Sequence, residues 1–268
     1  MNSKHKPTPW ARLLAMPNNS RTKIVVVAVG VCLVCSILVS SAAVLLKPIQ
    51  ERNEALGRKK EILKVAGLYD PDEDIATGFR SIQTRYVDLK TGKYVGADVA
   101  CNQTLLAIPK EQDIAGIGES TRCLPVYLVH TNESLSTVIL PLVGKGLWST
   151  IHGFVALSAD GNTIKAITFY DHAETPGLGG EISNPAWQAR WQGKQIFDSH
   201  GGMRLRIRKG RVDPASRGAR FDVDGLSGAT LTGNGITNMV HFWLGETGFG
   251  RYLARMRGPG RRGMRHET

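Results

Sequence analysis

Three observations predict an α+β fold carried on a single N-terminal membrane helix. Residues 24–46 are uncharged and consist mainly of Val, Ile, Leu and Ala. Between about 86 and 171, runs of β-branched and aromatic residues are separated by turn signals, as in antiparallel hairpins. Near the C-terminus, Ile236, Met239, Val240, Trp243 and Leu244 fall at i, i+3, i+4, i+7 and i+8, which is one apolar helix face. Hairpins followed by separate helices predict a mainly antiparallel sheet with flanking helices.

The elements follow in order. Residues 1–23 carry Lys4, Lys6, Arg12, Arg21 and Lys23 and no acid. As a helix, residues 24–46 reach ~34 Å, enough for a hydrocarbon core of ~30 Å. A cleaved signal peptide is the competing reading, helped by the small residues at 40–43. Its apolar region is usually only ~7–15 residues, which favours an uncleaved anchor. The basic flank predicts a cytoplasmic N-terminus and places everything after Lys47 outside, in a bacterium on the periplasmic side of the inner membrane. Cys32 and Cys35 lie within the span, where small apolar packing competes with a metal or redox role.

Residues 47–70 read as a stalk or docking helix. Pro48 is a place to bend or restart, and Leu56, Ile62, Leu63 and Ala66 share a face up to a Gly67 terminator. Residues 71–250 form the folded domain, entered through the acidic break at 70–74. Strands are expected at 126–130, 137–143, 153–158 and 163–170, with a tight turn at 159–162. Asn184 and Pro185 mark a helix start as cap and first position. Cys101 and Cys123 would share an oxidising compartment, where a disulfide can form.

The net charge of +11 first suggests nucleic acid. Its distribution argues against that partner: +5 lies in residues 1–23 and +5 in residues 251–268, leaving +1 for the folded body. A nucleic-acid-binding domain carries its basic stripe on the fold. Residues 251–268, rich in Arg and Gly, read as a disordered tail.

Chemistry concentrates in three segments. The run Asp224-Gly225-Leu226-Ser227-Gly228-Ala229-Thr230 places a hydroxyl after a glycine-containing turn, with no bulky neighbour. A Thr hydroxyl is a poor nucleophile without an outside base, and an open hydroxyl on such a turn is what an acceptor site for a modifying enzyme would need. A helix-capping turn would use similar residues. Thr232 and Asn234 either cap the following helix or add donors beside Thr230. The second segment, 172–181, holds Glu174, Thr175, Pro176, Gly177, Leu178 and Gly179; its glycines let backbone pack against a flat ring and Leu178 can cover one face. An ordinary tight loop would look alike. His172 and Glu174 resemble an acid–base pair, although a His at a strand end is usually structural. The third, 144–149, offers Trp148 for stacking and Ser149 as a donor, against the alternative of a core Trp.

The motif D-G-x-S-G-A-T resembles the flavinylation motif of the FMN-binding domain family. In that family the last Thr is joined to FMN by a phosphoester, which falls on Thr230 here. Glu-Thr-Pro-Gly-Leu-Gly and Gly-Leu-Trp-Ser are similar to segments that line the flavin. The chain from about 24 to 249 resembles the C subunit of the bacterial Na+-translocating NADH:quinone reductases, with the G subunit of the Rnf electron-transport complex as the alternative. The resemblance implies a carrier that relays electrons from NADH towards ubiquinone through covalent FMN, working among other subunits of a complex that moves Na+ outward. It also implies maturation by a flavin transferase using FAD and Mg2+. Ser227, Gly228, Ala229, Thr232, Trp148, Ser149, Glu174, Thr175, Gly177, Leu178 and Gly179 would surround the flavin, Asp224 would be read by the transferase, and no metal ligand is expected. A non-redox FMN-binding module and a structural stalk remain open as other classes.

Overall fold

The computed structural model describes residues 15–96 and 104–258. The chain divides into two compact units, one ending at Ala55 and the other beginning at Leu56. In the first unit lies most of α1 (Arg21–Ala66). This helix contains a segment long and apolar enough to cross a membrane, and its apolar side chains, among them Val25, Leu33 and Leu38, stand exposed. Cys32 and Cys35 are free and exposed on it. The restart allowed for at Pro48 does not occur, for α1 runs through it. A proline inside a helix removes only its own N–H bond, and long helical flanks on both sides carry the helix across the gap.

The second unit is built on a six-stranded antiparallel sheet. Its strands are β1 (Ile82–Asp88), β2 (Lys93–Val95), β5 (Cys123–Thr131), β6 (Ser134–Lys145), β7 (Thr150–Ser158) and β8 (Ile164–Asp171), ordered β2-β1-β5-β6-β7-β8. A separate ribbon, β3 (Leu105–Ala107) with β4 (Glu119–Thr121), stands apart. The β7–β8 turn forms where expected, with Asp160 accepting from the N–H groups of Asn162 (2.8 Å) and Thr163 (2.9 Å). Cys123 is in a disulfide; Cys101, its expected partner, lies outside the described residues.

Both sheet faces are covered, so the central strands are apolar on both sides. Ile139, Phe154 and Ala156 meet Ile62, Leu63 and Val65 from the last turns of α1. Val138, Leu140, Leu142, Val155 and Leu157 face the larger core. That core is closed by α4 (Thr230–Leu244) and α5 (Gly250–Arg257). The disordered tail expected from residue 251 is instead helix as far as Arg257, because Tyr252, Leu253 and Met256 are buried in this core. Between α1 and α4 the chain forms two single-turn helices, α2 (Ile75–Gly78) before β1 and α3 (Pro185–Gln188) after β8. As predicted, Asn184 caps α3 by accepting from Ala186 N–H at 3.0 Å. A 3-10 turn, Ala189–Trp191, continues α3, and its Trp191 packs edge-on against Trp187 and Phe169.

All five apolar residues predicted for the last long helix are buried on α4. The helix starts earlier than its apolar spacing indicates, at Thr230 itself. Trp243 Nε1–H donates to the Val143 carbonyl at 2.6 Å, and the Lys145 carbonyl would stand only 2.5 Å from a Cβ at position 235. Close backbone approach of α4 to the end of β6 therefore extends a helix whose first turns are glycine-rich. A two-residue parallel pair, β9 (Arg206–Ile207) with β10 (Asp222–Val223), delivers the chain to Asp224. It is the one departure from antiparallel pairing among the described strands.

Candidate functional site

Thr230 is the first residue of α4, and Ala229, buried, occupies the cap position without a side-chain cap bond. Thr230 is exposed, as are Ser227 and Gly228. The first bond within the helix runs from Gly233 N–H to the Ala229 carbonyl at 3.0 Å. The N–H groups of Thr230, Leu231 and Thr232 therefore have no intrahelical acceptor, and they give this end of α4 its preference for an anion.

Glu174 draws the three chemical segments together. It is only 4% exposed. Oε1 accepts from the N–H of Trp148 at 2.9 Å and, at 3.4 Å, from that of Ser149; Oε2 accepts the Thr232 hydroxyl at 2.6 Å. The carboxylate thus ties the 144–149 loop and its own 172–181 loop to the first turn of α4. Burial pushes its carboxyl pKa up, but the Thr232 hydroxyl and the N–H groups of Trp148, Leu147 and Ser149 together outweigh burial and hold it below its ordinary value. Two glycines make room for this clasp. A Cβ at Gly146 would lie 2.5 Å from Glu174 Oε1, and one at Gly179 would lie 2.6 Å from Thr232 Oγ1 and 2.8 Å from Glu174 Oε2.

The other expected residues fall around the clasp. Gly228 takes φ +71°, a left-handed conformation that suits glycine, and a Cβ there would meet Leu178 Cδ2 at 2.8 Å. Leu178 therefore lies over the motif turn. Thr175 turns its carbonyl to the N–H groups of Leu178 (3.1 Å) and Gly180 (2.8 Å), closing a tight loop with Gly177 exposed at its tip. Ser149 Oγ accepts from Ala173 N–H at 2.7 Å, which joins the two loops a second time. Trp148 is not a core residue: it is 70% exposed. Leu147, Leu178 and Leu231 are exposed beside the same loops and helix end. Neither Thr232 nor Asn234 caps the helix. Ala229 occupies that position, Thr232 is buried against Glu174, and Asn234 is an exposed residue within α4.

His172 is structural. Its Nε2 lies 2.6 Å from Ser183 Oγ and its Nδ1 accepts from Glu174 N–H at 3.3 Å, so both ring nitrogens are used inside the loop. Asp224 accepts from Arg190 Nη1 at 2.5 Å and from Val212 N–H at 2.8 Å. Among the described residues no group of three or more His, Cys, Asp and Glu side chains is placed to hold a metal ion.

The two loops expose Leu147, Trp148 and Leu178, and the first turn of α4, tied to them by Glu174, exposes Thr230 and Leu231. Residues 146–245, which take in most of the three segments, match the FMN-binding domain family. The C subunit of the Na+-translocating NADH-quinone reductase of Pseudomonas aeruginosa is 45% identical over 252 residues, covering 89% of this chain and 97% of that protein. The chain belongs to this C-subunit family. The same subunit from Yersinia pestis is 44% identical over 254 residues, covering 90% of this chain and 94% of that protein. The crystal structure of Shewanella oneidensis NqrC matches with a TM-score of 0.66 at 32% identity, covering 78% of this chain and 99% of that one. The corresponding subunit from Parabacteroides distasonis matches with a TM-score of 0.60 at 26% identity, covering 78% and 96%. Membership of the C-subunit family removes the alternative of the Rnf complex's G subunit.

Arg190, Trp187 and Leu231 are the site neighbours that sequence reasoning missed. Leu231 was within reach, since it lies next to Thr230. Arg190 and Trp187 had no such signal, because their contact with Asp224 spans more than thirty residues.

Proposed function

We propose that this chain is an electron-carrying subunit of a membrane-bound Na+-translocating NADH:quinone reductase and holds FMN through a phosphoester to Thr230 Oγ1. The observation that carries the reading is that Thr230 is exposed at the N-terminus of α4, whose first turn Glu174 ties through Thr232 to the two loops that expose Leu147, Trp148 and Leu178. Family membership and the FMN-binding domain match support a flavin carrier. When bound, the flavin supplies reversible electron uptake on the path from NADH towards ubiquinone, while the whole complex moves Na+ outward.

The residues of this chain do the rest. The free N–H groups of the first turn of α4 face the phosphate. Trp148 and Leu178 would cover the ring, and Ser149, Thr175 and Gly177 would be among the residues that hold it. A covalent link keeps the cofactor on a domain that lies outside the cell membrane, where free flavin is not retained. Residues 24–46 anchor the chain in the inner membrane, with 1–23 cytoplasmic, 47–70 as the stalk and a periplasmic flavin domain that runs from 71 through α5 to Arg257. The other subunits of the reductase are its working partners, and a flavin transferase using FAD and Mg2+ matures it.

Two measurements test the reading. Thr230→Ala, expressed with the transferase, should insert in the membrane and lose in-gel flavin fluorescence; retained fluorescence moves the attachment elsewhere. Potentiometry of the intact complex should show this flavin changing redox state, and a flavin that never does so makes the chain a binding module.

A further inference from the structure

The start of the acceptor turn is gripped from two sides by residues outside the motif. Asp224 leaves β10 with both carboxylate oxygens in bonds: Oδ2 at 2.5 Å from Arg190 Nη1, and Oδ1 at 2.8 Å from Val212 N–H. Its carbonyl accepts the Trp187 indole N–H at 3.0 Å. Next to it, Gly225 N–H donates to the Gly210 carbonyl at 2.8 Å, and the Arg208 carbonyl stands where a Cβ at position 225 would be. Arg190 and Trp187 lie on one short segment, α3 and the 3-10 turn after it, which is fixed to the core through Trp187, Trp191 and Phe169. The segment therefore links the core directly to the turn that ends at Thr230.

We propose that Arg190 is a positioning residue for the modification of Thr230: with Trp187 and the 208–212 loop it uses Asp224 as a handle that sets the acceptor turn in the shape the transferase meets. Asp224 then acts as an internal staple, and the transferase reads the shape of the turn more than this carboxylate. The proposal rests on the reading that Thr230 carries the FMN. In the loading step Thr230 Oγ1 attacks the FMN phosphorus of FAD. A P–O bond forms to Thr230, the pyrophosphate P–O bond breaks, AMP leaves, and the hydroxyl proton passes to a base of the transferase. No electron changes hands. A partly exposed ion pair contributes little to global stability, so its loss disturbs the turn without unfolding the domain.

The test uses the full-length chain in membranes with limiting transferase. Loading is followed over time as the FMN-bearing fraction of the tryptic peptide from Phe221 to Arg251. Arg190→Gln should load roughly tenfold more slowly, the scale expected when a reacting group is misoriented, and Arg190→Lys should recover most of the rate. Asp224→Asn should slow loading, and the double variant with Arg190→Gln should be no slower than Asp224→Asn alone, as for two ends of one contact. Trp187→Phe, which removes the indole N–H and keeps an aromatic ring, should also slow loading and serves where Arg190→Gln fails to fold. Wild-type loading in Arg190→Gln, multiplying effects in the double variant, or an unchanged rate in Trp187→Phe overturns the proposal. A wild-type chain left unmodified at Thr230 overturns the reading beneath it instead.

Discussion

Replacing Glu174 by Gln removes one charge from the clasp and keeps its shape. The amide oxygen can still accept from Trp148 N–H, and the amide nitrogen can face the Thr232 hydroxyl. Two strong bonds, at 2.9 and 2.6 Å, become neutral ones. A hydrogen bond to a charged group contributes ~1.5–3 kcal/mol against ~1 for a neutral one, so the loss should be about 2 kcal/mol. For a unit of this size that is about 4–8 °C in melting temperature. Glu174→Ala should cost about 4 kcal/mol, because it strands the buried Thr232 hydroxyl and the Trp148 N–H as well. The assay is thermal unfolding of flavin-free full-length protein in detergent, from a host without the transferase. The pH dependence carries a definite sign. The native carboxyl titrates below its ordinary value, so as pH falls the unfolded chain takes up the proton first. The stabilisation is complete above ~4.3 and disappears as pH falls through the native pKa. The gap between wild type and Glu174→Gln should hold steady from neutral pH to about 5 and close on further acidification. Equal melting at pH 7, or a gap that persists at low pH, would refute the argument.

Three further outcomes follow from the same geometry. Thr232→Val keeps the shape but leaves Glu174 Oε2 without its hydroxyl donor, so unfolding should be easier by about 2 kcal/mol and the acid-unfolding transition should move to higher pH. Gly179→Ala puts a methyl group 2.6 Å from Thr232 Oγ1 and 2.8 Å from Glu174 Oε2, and denaturant titration should register an overpacking loss of about 1–3 kcal/mol. Trp148→Ala should leave the stability of flavin-free protein within about 0.5 kcal/mol of wild type, because the ring is exposed, while the absorption and fluorescence of the loaded flavin change with its cover gone.

Much of this fold is legible in residue pattern. The apolar face of α4 follows directly from spacing, and the Asn-Pro start of α3 from cap chemistry, because both signals are local. The first turns of α4 are not legible. Thr230-Leu231-Thr232-Gly233-Asn234-Gly235 has poor helix propensity, and the segment becomes helical through tertiary contacts with β6 and Glu174. The strands β9 and β10 are two residues each, too short for periodicity to register. Sequence proximity pairs the Glu174 side chain with His172, whereas the partners of its carboxylate lie 25, 26 and 58 residues away. The turn that leads into Thr230 and the Trp148 loop stand out in the sequence because each motif is written in consecutive residues.

The most direct test of the central claim is mass mapping of the Phe221–Arg251 tryptic peptide from protein made in a transferase-competent host. The account predicts a peptide heavier by one esterified FMN, yellow, and fragmenting with the added mass on Thr230. An unshifted, colourless peptide from that host would contradict it.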